Sequence, residues 1–283
     1  MKALGIVSSP RNAGNSELAV KEILSQLPDF WEKEMIRLNK LNIKYCTACY
    51  ACVPADKKCK LDDDLDFFLE HVKKADKIVI GAPSYFLGGH TATKVVLDRL
   101  LSILSNFNEF AGKDCVIIAP YGLDKWEGAV KENILIFATE LHLRVVDSAA
   151  ILATVPSESV QGENLKVLSR LAQSLMNPPE KPFSPVDELN CSFCTSAALI
   201  LFTNGDWTCR ICGGTGKIEY KNGEFSIKAD AENLSHFTLE SKIMHANYLA
   251  ERKQFFLDNR QKIKDTQAKY TDINWWVTPE VKS

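Results

Sequence analysis

The stretch Ala3-Leu4-Gly5-Ile6-Val7-Ser8-Ser9-Pro10-Arg11-Asn12-Ala13-Gly14-Asn15-Ser16 decides the fold. Its first five residues are apolar or small, too few for a helix and bounded by Ser-Ser-Pro, so they read as a strand buried on both faces. The turn runs into a segment where Val20, Ile23, Leu24 and Leu27 share one helical face. Further strands are expected at 35–38, 77–81, 114–119 and 144–152. Apolar helical faces lie between and after them: Leu65, Phe68, Leu69, Val72; Leu97, Leu100, Leu101, Leu104; Ile134, Phe137, Ala138, Leu141; Leu168, Leu171, Leu175. This alternation predicts an α/β fold, a doubly wound five-stranded parallel sheet over residues 1–176.

In such a sheet ligands sit beyond the carboxyl ends of the strands, where the strand order reverses. The turn 8–16 offers hydroxyls, an Arg, an Asn and free N–H groups at a helix start, which suits a phosphomonoester. A dinucleotide GxGxxG is absent there. The string Gly213-Gly214-Thr215-Gly216-Lys217 lacks the spacing of a P-loop and reads as a turn after a metal knuckle.

Composition excludes several classes. The chain has 283 residues, 46% hydrophobic and 25% charged, enough for about two domains. Lys+Arg 34 against Asp+Glu 36 leaves net charge −2, so no overall basic field exists for nucleic acid or an anionic membrane. No apolar run approaches the length of a membrane span, and the first residues are too short for a signal-peptide core. A cytoplasmic protein is expected.

Nine cysteines are the compositional anomaly, and without an export signal they point to metal rather than disulfides. Cys46, Cys49 and Cys52, with Cys59 a little further on, follow the second strand. A CxxCxxC run wraps three thiolates around one face of an iron–sulfur cubane and the fourth Cys completes it, whereas zinc is better served by separated knuckles. Free or redox-sensing thiols are the other reading. Cys191, Cys194, Cys209 and Cys212 form two CxxC knuckles joined by a hairpin-length segment, a set for structural zinc first and rubredoxin-like iron second. Cys115 opens an apolar run and reads as core. Asp62-Asp63-Asp64 precedes a helix and reads as capping.

Residues 177–185 hold four prolines and mark a boundary. Beyond it a small zinc-ribbon-like module is expected over 186–229, with Asn222-Gly223 as a hairpin turn. The segment 235–283 begins a long helix at Leu239, Ile243, Ala246 and Ala250, running to about residue 264. It ends in Trp275-Trp276-Val277, expected to dock on the sheet domain or a second subunit.

The turn 8–16 resembles the G-S-P-R-x-x-G-N-T/S loop of the flavodoxin-like NAD(P)H-dependent FMN reductase superfamily, and the cysteine spacing resembles that of its iron–sulfur flavoprotein branch. Ser8 replaces the usual Gly, and Ala48 stands where many relatives have Gly. The resemblance implies a flavodoxin-like fold with FMN, whose phosphate is held by Ser9, Arg11, Asn15 and Ser16, with Ser8 beside them. It implies that Pro83, Ser84, Tyr85, Phe86, Leu87 and Gly88 lie against the isoalloxazine ring, and that Tyr121 and Gly122 form a third flavin loop. A [4Fe-4S] cluster on residues 46–59, NAD(P)H or a ferredoxin-type donor and a homo-oligomer follow from it too. The function expected is an FMN-dependent oxidoreductase passing electrons between flavin and cluster, with the hydride chemistry supplied by the cofactor and no catalytic side chain. The alternatives are a cluster-free NAD(P)H-dependent FMN or quinone reductase and a redox-responsive binding module.

Overall fold

The structure, a computed structural model, describes residues 1–53, 58–104, 107–180, 183, 188–230 and 235–271. Strands β1 (Lys2–Val7), β2 (Glu32–Arg37), β3 (Lys77–Gly81), β6 (Asp114–Tyr121) and β7 (Arg144–Leu152) form one sheet in the order β2-β1-β3-β6-β7, all pairs parallel. Period-two alternation splits their side chains between two cores. Leu4, Ile6, Ile78, Ile80 and Ile117 pack against α2 (Leu65–Lys74), α3 (Thr91–Leu97) and α4 (Val130–Glu140). Ala3, Val7, Val79, Val116 and Ile118 pack against α1 (Asn15–Ser25) and α5 (Gly162–Met176). The order reverses between β1 and β3, so a crevice opens above their carboxyl ends.

Three expected boundaries shift. Strand β2 starts at Glu32 rather than 35, because Glu32 and Glu34 sit at a sheet edge where they pair with Lys2 at 3.1 and 2.9 Å and need no apolar pattern. The helix expected through Leu104 ends at Leu97, and a 3-10 turn over Leu100–Ile103 carries Leu100 and Leu101, with Leu104 just past its end, while Arg99 turns inward. The long C-terminal helix is two, α6 (Leu239–Asp258) and α7 (Arg260–Thr271), interrupted at Asn259, whose side-chain amide donates to Phe255 O at 2.8 Å. Residues 275–277 lie outside the described residues, as does part of the segment 177–185. Cys115 is buried, and burial pushes its thiol far up.

The second sheet is antiparallel, β8 (Leu199–Leu201), β9 (Asp206–Cys209), β10 (Thr215–Lys221) and β11 (Glu224–Ala229), in the order β11-β10-β9-β8. Asn222 and Gly223 both take positive φ, 56° and 88°, as a two-residue hairpin requires. Gly216 is demanded by close approach: a Cβ there would lie 1.9 Å from Lys228 O. The buried Trp207 and the four cysteines of this module join the core on the α2/α4 side of the main sheet. Among the described residues no helix is long and apolar enough to cross a membrane.

Helix α6 is fastened to the main domain by the buried Lys242. Lys242 Nζ donates to Thr139 O and to His142 Nδ1, the latter at 2.8 Å. Burial and the Lys242 charge hold His142 down to about 3, and burial holds Lys242 down to about 8. For both groups the detached state binds more protons than the docked one, so docking strengthens as pH rises from 3 to 6.5 and again from 8 to 10.5. Hydrogen exchange corrected for intrinsic rates should therefore show protection of the first turns of α6 falling as pH drops from 6.5 toward 3. His142→Gln should remove that dependence, and a protection level flat with pH in the wild type would contradict the assignment.

Candidate cofactor sites

Four loops meet above the sheet around a pocket of about 300 Å³. Ser9, Arg11, Asn15 and Ser16 line it from the first loop, Pro83, Ser84 and Tyr85 from the loop after β3, and Tyr121 and Gly122 from the end of β6. The structure thus brings together the three loops expected from the sequence and adds a fourth, with Ala153, Thr154 and Pro156 after β7.

The first loop is fixed by charge. Glu17 accepts from Ala13 N at 2.7 Å and pairs with Lys21 at 2.6 Å and with Arg37. Burial pushes its carboxyl up, but these bonds outweigh it and hold it at about 2. Arg37, the last residue of β2, donates to Ser9 O at 2.9 Å and Arg11 O at 2.7 Å, so the loop's carbonyls are turned to β2. The first turn of α1 follows at once, with its N–H groups and dipole directed at the pocket.

The predicted phosphate ligands divide by what their side chains do. Ser16 Oγ is buried, lines the pocket and has no partner among the described residues, an orphan hydroxyl that an anion at the helix start would satisfy. Arg11 is exposed at the rim. Asn15 donates to Ala153 O and Val155 O, both at 2.9 Å, and so ties the fourth loop to α1. Ser8 is buried outside the pocket lining: its Oγ accepts from Thr93 Oγ1 at 2.7 Å and lies 3.5 Å from His90 Nδ1. His90 caps α3 by accepting from Ala92 N at 3.2 Å, and burial favours its neutral form.

The loop after β3 forms a hairpin, β4 (Ser84–Tyr85) with β5 (Gly88–Gly89). Phe86 and Leu87 occupy its turn at φ 47° and 65°, a conformation unusual for non-glycine residues. It is enforced by Ala129 N donating to Leu87 O at 2.8 Å, by Ser84 Oγ donating to Glu127 O at 3.1 Å and by Gly89 N donating to Asn133 Oδ1 at 2.9 Å. Phe86, Leu87 and Gly88 therefore stand beside the pocket rather than in its wall, and the Phe86 ring is fully exposed. Tyr121 is held in its neutral form by burial and by Glu127 and Asp124.

The C-terminal cysteines are a closed site. All four sulfurs lie within 4.8 Å of one another, with Cys191 and Cys212 at 3.5 Å and Cys194 and Cys209 at 3.7 Å. Tetrahedral thiolates about 2.3 Å from one ion stand roughly 3.8 Å apart, so the donor set fits a single metal ion.

The N-terminal cysteines are arranged differently. Among the described residues only the C-terminal quartet closes to the span of a single ion. Cys46 and Cys49 are exposed, Cys52 and Cys59 half-buried. Burial pushes the Cys52 thiol up, and so do the charges of Cys59, Cys49 and Cys46. Ala48 and Tyr50, between the first three cysteines, take φ 50° and 54°, so the run coils tightly at positions where glycine would be unstrained. Four thiols on one surface loop are a soft donor set of the kind an iron–sulfur centre takes. Helix α6 faces the loop across a cleft lined by Tyr50, Val53, Leu249 and Phe256, with Arg252 and Lys253 at its edge.

Two of the three aspartates before α2, Asp63 and Asp64, anchor this loop as well as standing at the helix start. Asp63 accepts from Lys44 N at 2.9 Å as well as from Leu65 N at 3.1 Å, and Asp64 accepts from Asn42 N at 2.6 Å. Burial pushes the Asp63 carboxyl up, but its bonds to Arg99 and to these N–H groups bring it net down. Local sequence patterns do not single out Arg99, nor Arg37, Glu17 and the loop after β7. A charge inside the apolar run 97–104 is the one signal available for Arg99.

Residues 1–157 match the model of the NADPH-dependent FMN reductase family. The chain is 38% identical over 100 residues to an iron–sulfur flavoprotein of Methanocaldococcus jannaschii, covering 35% of this chain and 51% of that one. It is 33% identical over 102 residues to an iron–sulfur flavoprotein of Archaeoglobus fulgidus, covering 36% and 46%. It thus spans about half the length of the curated relatives it matches. The fold is shared more widely: a solved flavone reductase superposes with TM-score 0.78 at 23% identity over 99% of this chain and 100% of that one, so the second sheet and terminal helices belong to a recurring architecture. With the family model matched over more than half its length, the chain belongs to the NADPH-dependent FMN reductase family.

Proposed function

We propose that this chain is an FMN-dependent oxidoreductase that passes electrons between FMN in the four-loop pocket and a [4Fe-4S] cluster on Cys46, Cys49, Cys52 and Cys59. NAD(P)H or a ferredoxin-type protein is the donor. The observation that carries the reading is the junction at Arg37: this residue ends β2, bonds the carbonyls of the phosphate loop, and starts the segment that leads to the cysteines. The relatives named iron–sulfur flavoprotein support it. FMN exchanges two electrons or one, a cluster exchanges one, and together they convert pairs into singles.

The chain's part is placement. The N–H groups at the start of α1, Ser16 Oγ and Arg11 hold a phosphate; Ser84, Tyr85, Tyr121 and Gly122 form walls for the ring. The C-terminal quartet holds zinc in a structural role, because its cysteines are at most 5% exposed in a module with little core besides Trp207. The exposed Met244, Tyr248, Phe255 and Phe256 on α6 favour a homo-oligomer.

Protein purified without oxygen should contain about four iron, four sulfide, one zinc and one FMN per chain. Flavin and zinc without sulfide would leave a cluster-free reductase. Ser16→Ala should weaken FMN binding about 5- to 30-fold, a loss of ~1–2 kcal/mol, without lowering the melting temperature of the apoprotein, since the hydroxyl has no partner among the described residues. An unchanged flavin affinity would remove Ser16 from the phosphate site. Cys209→Ser should release the zinc and open the second sheet to proteolysis while FMN stays bound. Simultaneous loss of flavin would refute the separate structural role.

A further inference from the structure

The least expected side chain in the molecule is Arg99. Its side chain is 1% exposed and that of its partner Asp63 is 0% exposed, at 2.5 Å. A fully buried ion pair is a poor way to gain stability, because desolvating two charges consumes most of the attraction. The guanidinium is also incompletely used: Nε has no acceptor among the described residues. What the arrangement achieves is aim. Nη1 donates to Lys44 O at 2.7 Å and to Asp63, which orients the planar fork, and Nη2 then donates to Cys59 Sγ at 3.2 Å.

We propose that Arg99 is a positioning residue for the cysteine centre on residues 46–59, setting its reduction potential through the hydrogen bond to Cys59 while Asp63 balances the charge. The inference rests on the four-iron centre proposed for these cysteines. Hydrogen bonds to the ligand sulfurs and net local charge are two of the levers that set cluster potentials. One-electron reduction adds negative charge that spreads onto the sulfurs. An N–H donor and a cation at Sγ then favour the reduced form, and a carboxylate behind the cation opposes it. Arg99 should raise the potential and Asp63 should lower it.

The test is a redox titration of the full-length protein, reconstituted anaerobically, followed by the EPR signal that appears on reduction. Wild type, Arg99→Gln, Arg99→Lys and Asp63→Asn are compared, with iron and sulfide assayed in each. At the wild-type midpoint Arg99→Gln should lower the ratio of reduced to oxidised centre about tenfold, about 59 mV for one electron. Arg99→Lys keeps the charge but loses the fork, and should fall between it and the wild type. Asp63→Asn should move the midpoint the opposite way. A merely structural pair would shift both positions in one direction or cost both variants their cluster. That result, or intact clusters with unmoved midpoints, would overturn the inference. If Arg99→Gln does not fold, Arg99→Lys and Asp63→Asn still decide the sign. Wild-type protein that assembles no sulfide would instead overturn the four-iron centre, and the inference with it.

Discussion

The close approach of helix α1 to strand β3 is the constraint on which the rest depends. A methyl group on residue 81 would stand 2.5 Å from Val20 Cγ2 and 3.0 Å from Ser16 O, so the helix reaches its place only because residue 81 is glycine. That contact sets the start of α1 over the reversal of strand order and puts the first loop beside the loop after β3. The pocket is where four connections converge once the first helix is seated.

Metal chemistry divides along the chain in the same way as packing does. The C-terminal thiols are enclosed, close enough for one ion and surrounded by a module too thin to fold on apolar burial alone. The N-terminal thiols sit on a surface loop whose two ends are fastened by carboxylates. In the function proposed above, the enclosed set contributes folding energy and the exposed set meets an electron partner. A shared residue type thus serves two purposes, and exposure separates them.

Much of this architecture is legible in the residue pattern alone. The inner strands β1, β3 and β6 follow from short apolar runs because a strand covered on both faces has no polar side to mask the signal. The first loop is legible for a different reason: its chemistry is concentrated in a few consecutive residues. Edge strand β2 is legible only at its apolar end, since Glu32 and Glu34 meet solvent and lysine. Arg37 and Arg99 are invisible as site residues in the linear pattern because their partners lie 26 and 36 positions away, and no local pattern encodes such a contact. The bonds that Ser8 and Asn15 make within the chain are illegible for the same reason. Their side chains turn to Thr93 and to the loop after β7, and only tertiary packing makes those choices.

Helix α3 is seven residues long, and each end is bonded to a different loop. Near its start Thr93 grips Ser8, and two residues beyond its end Arg99 grips Cys59. The helix is therefore a short strut between the phosphate loop and the cysteine loop, and a shift along its axis moves both contacts at once.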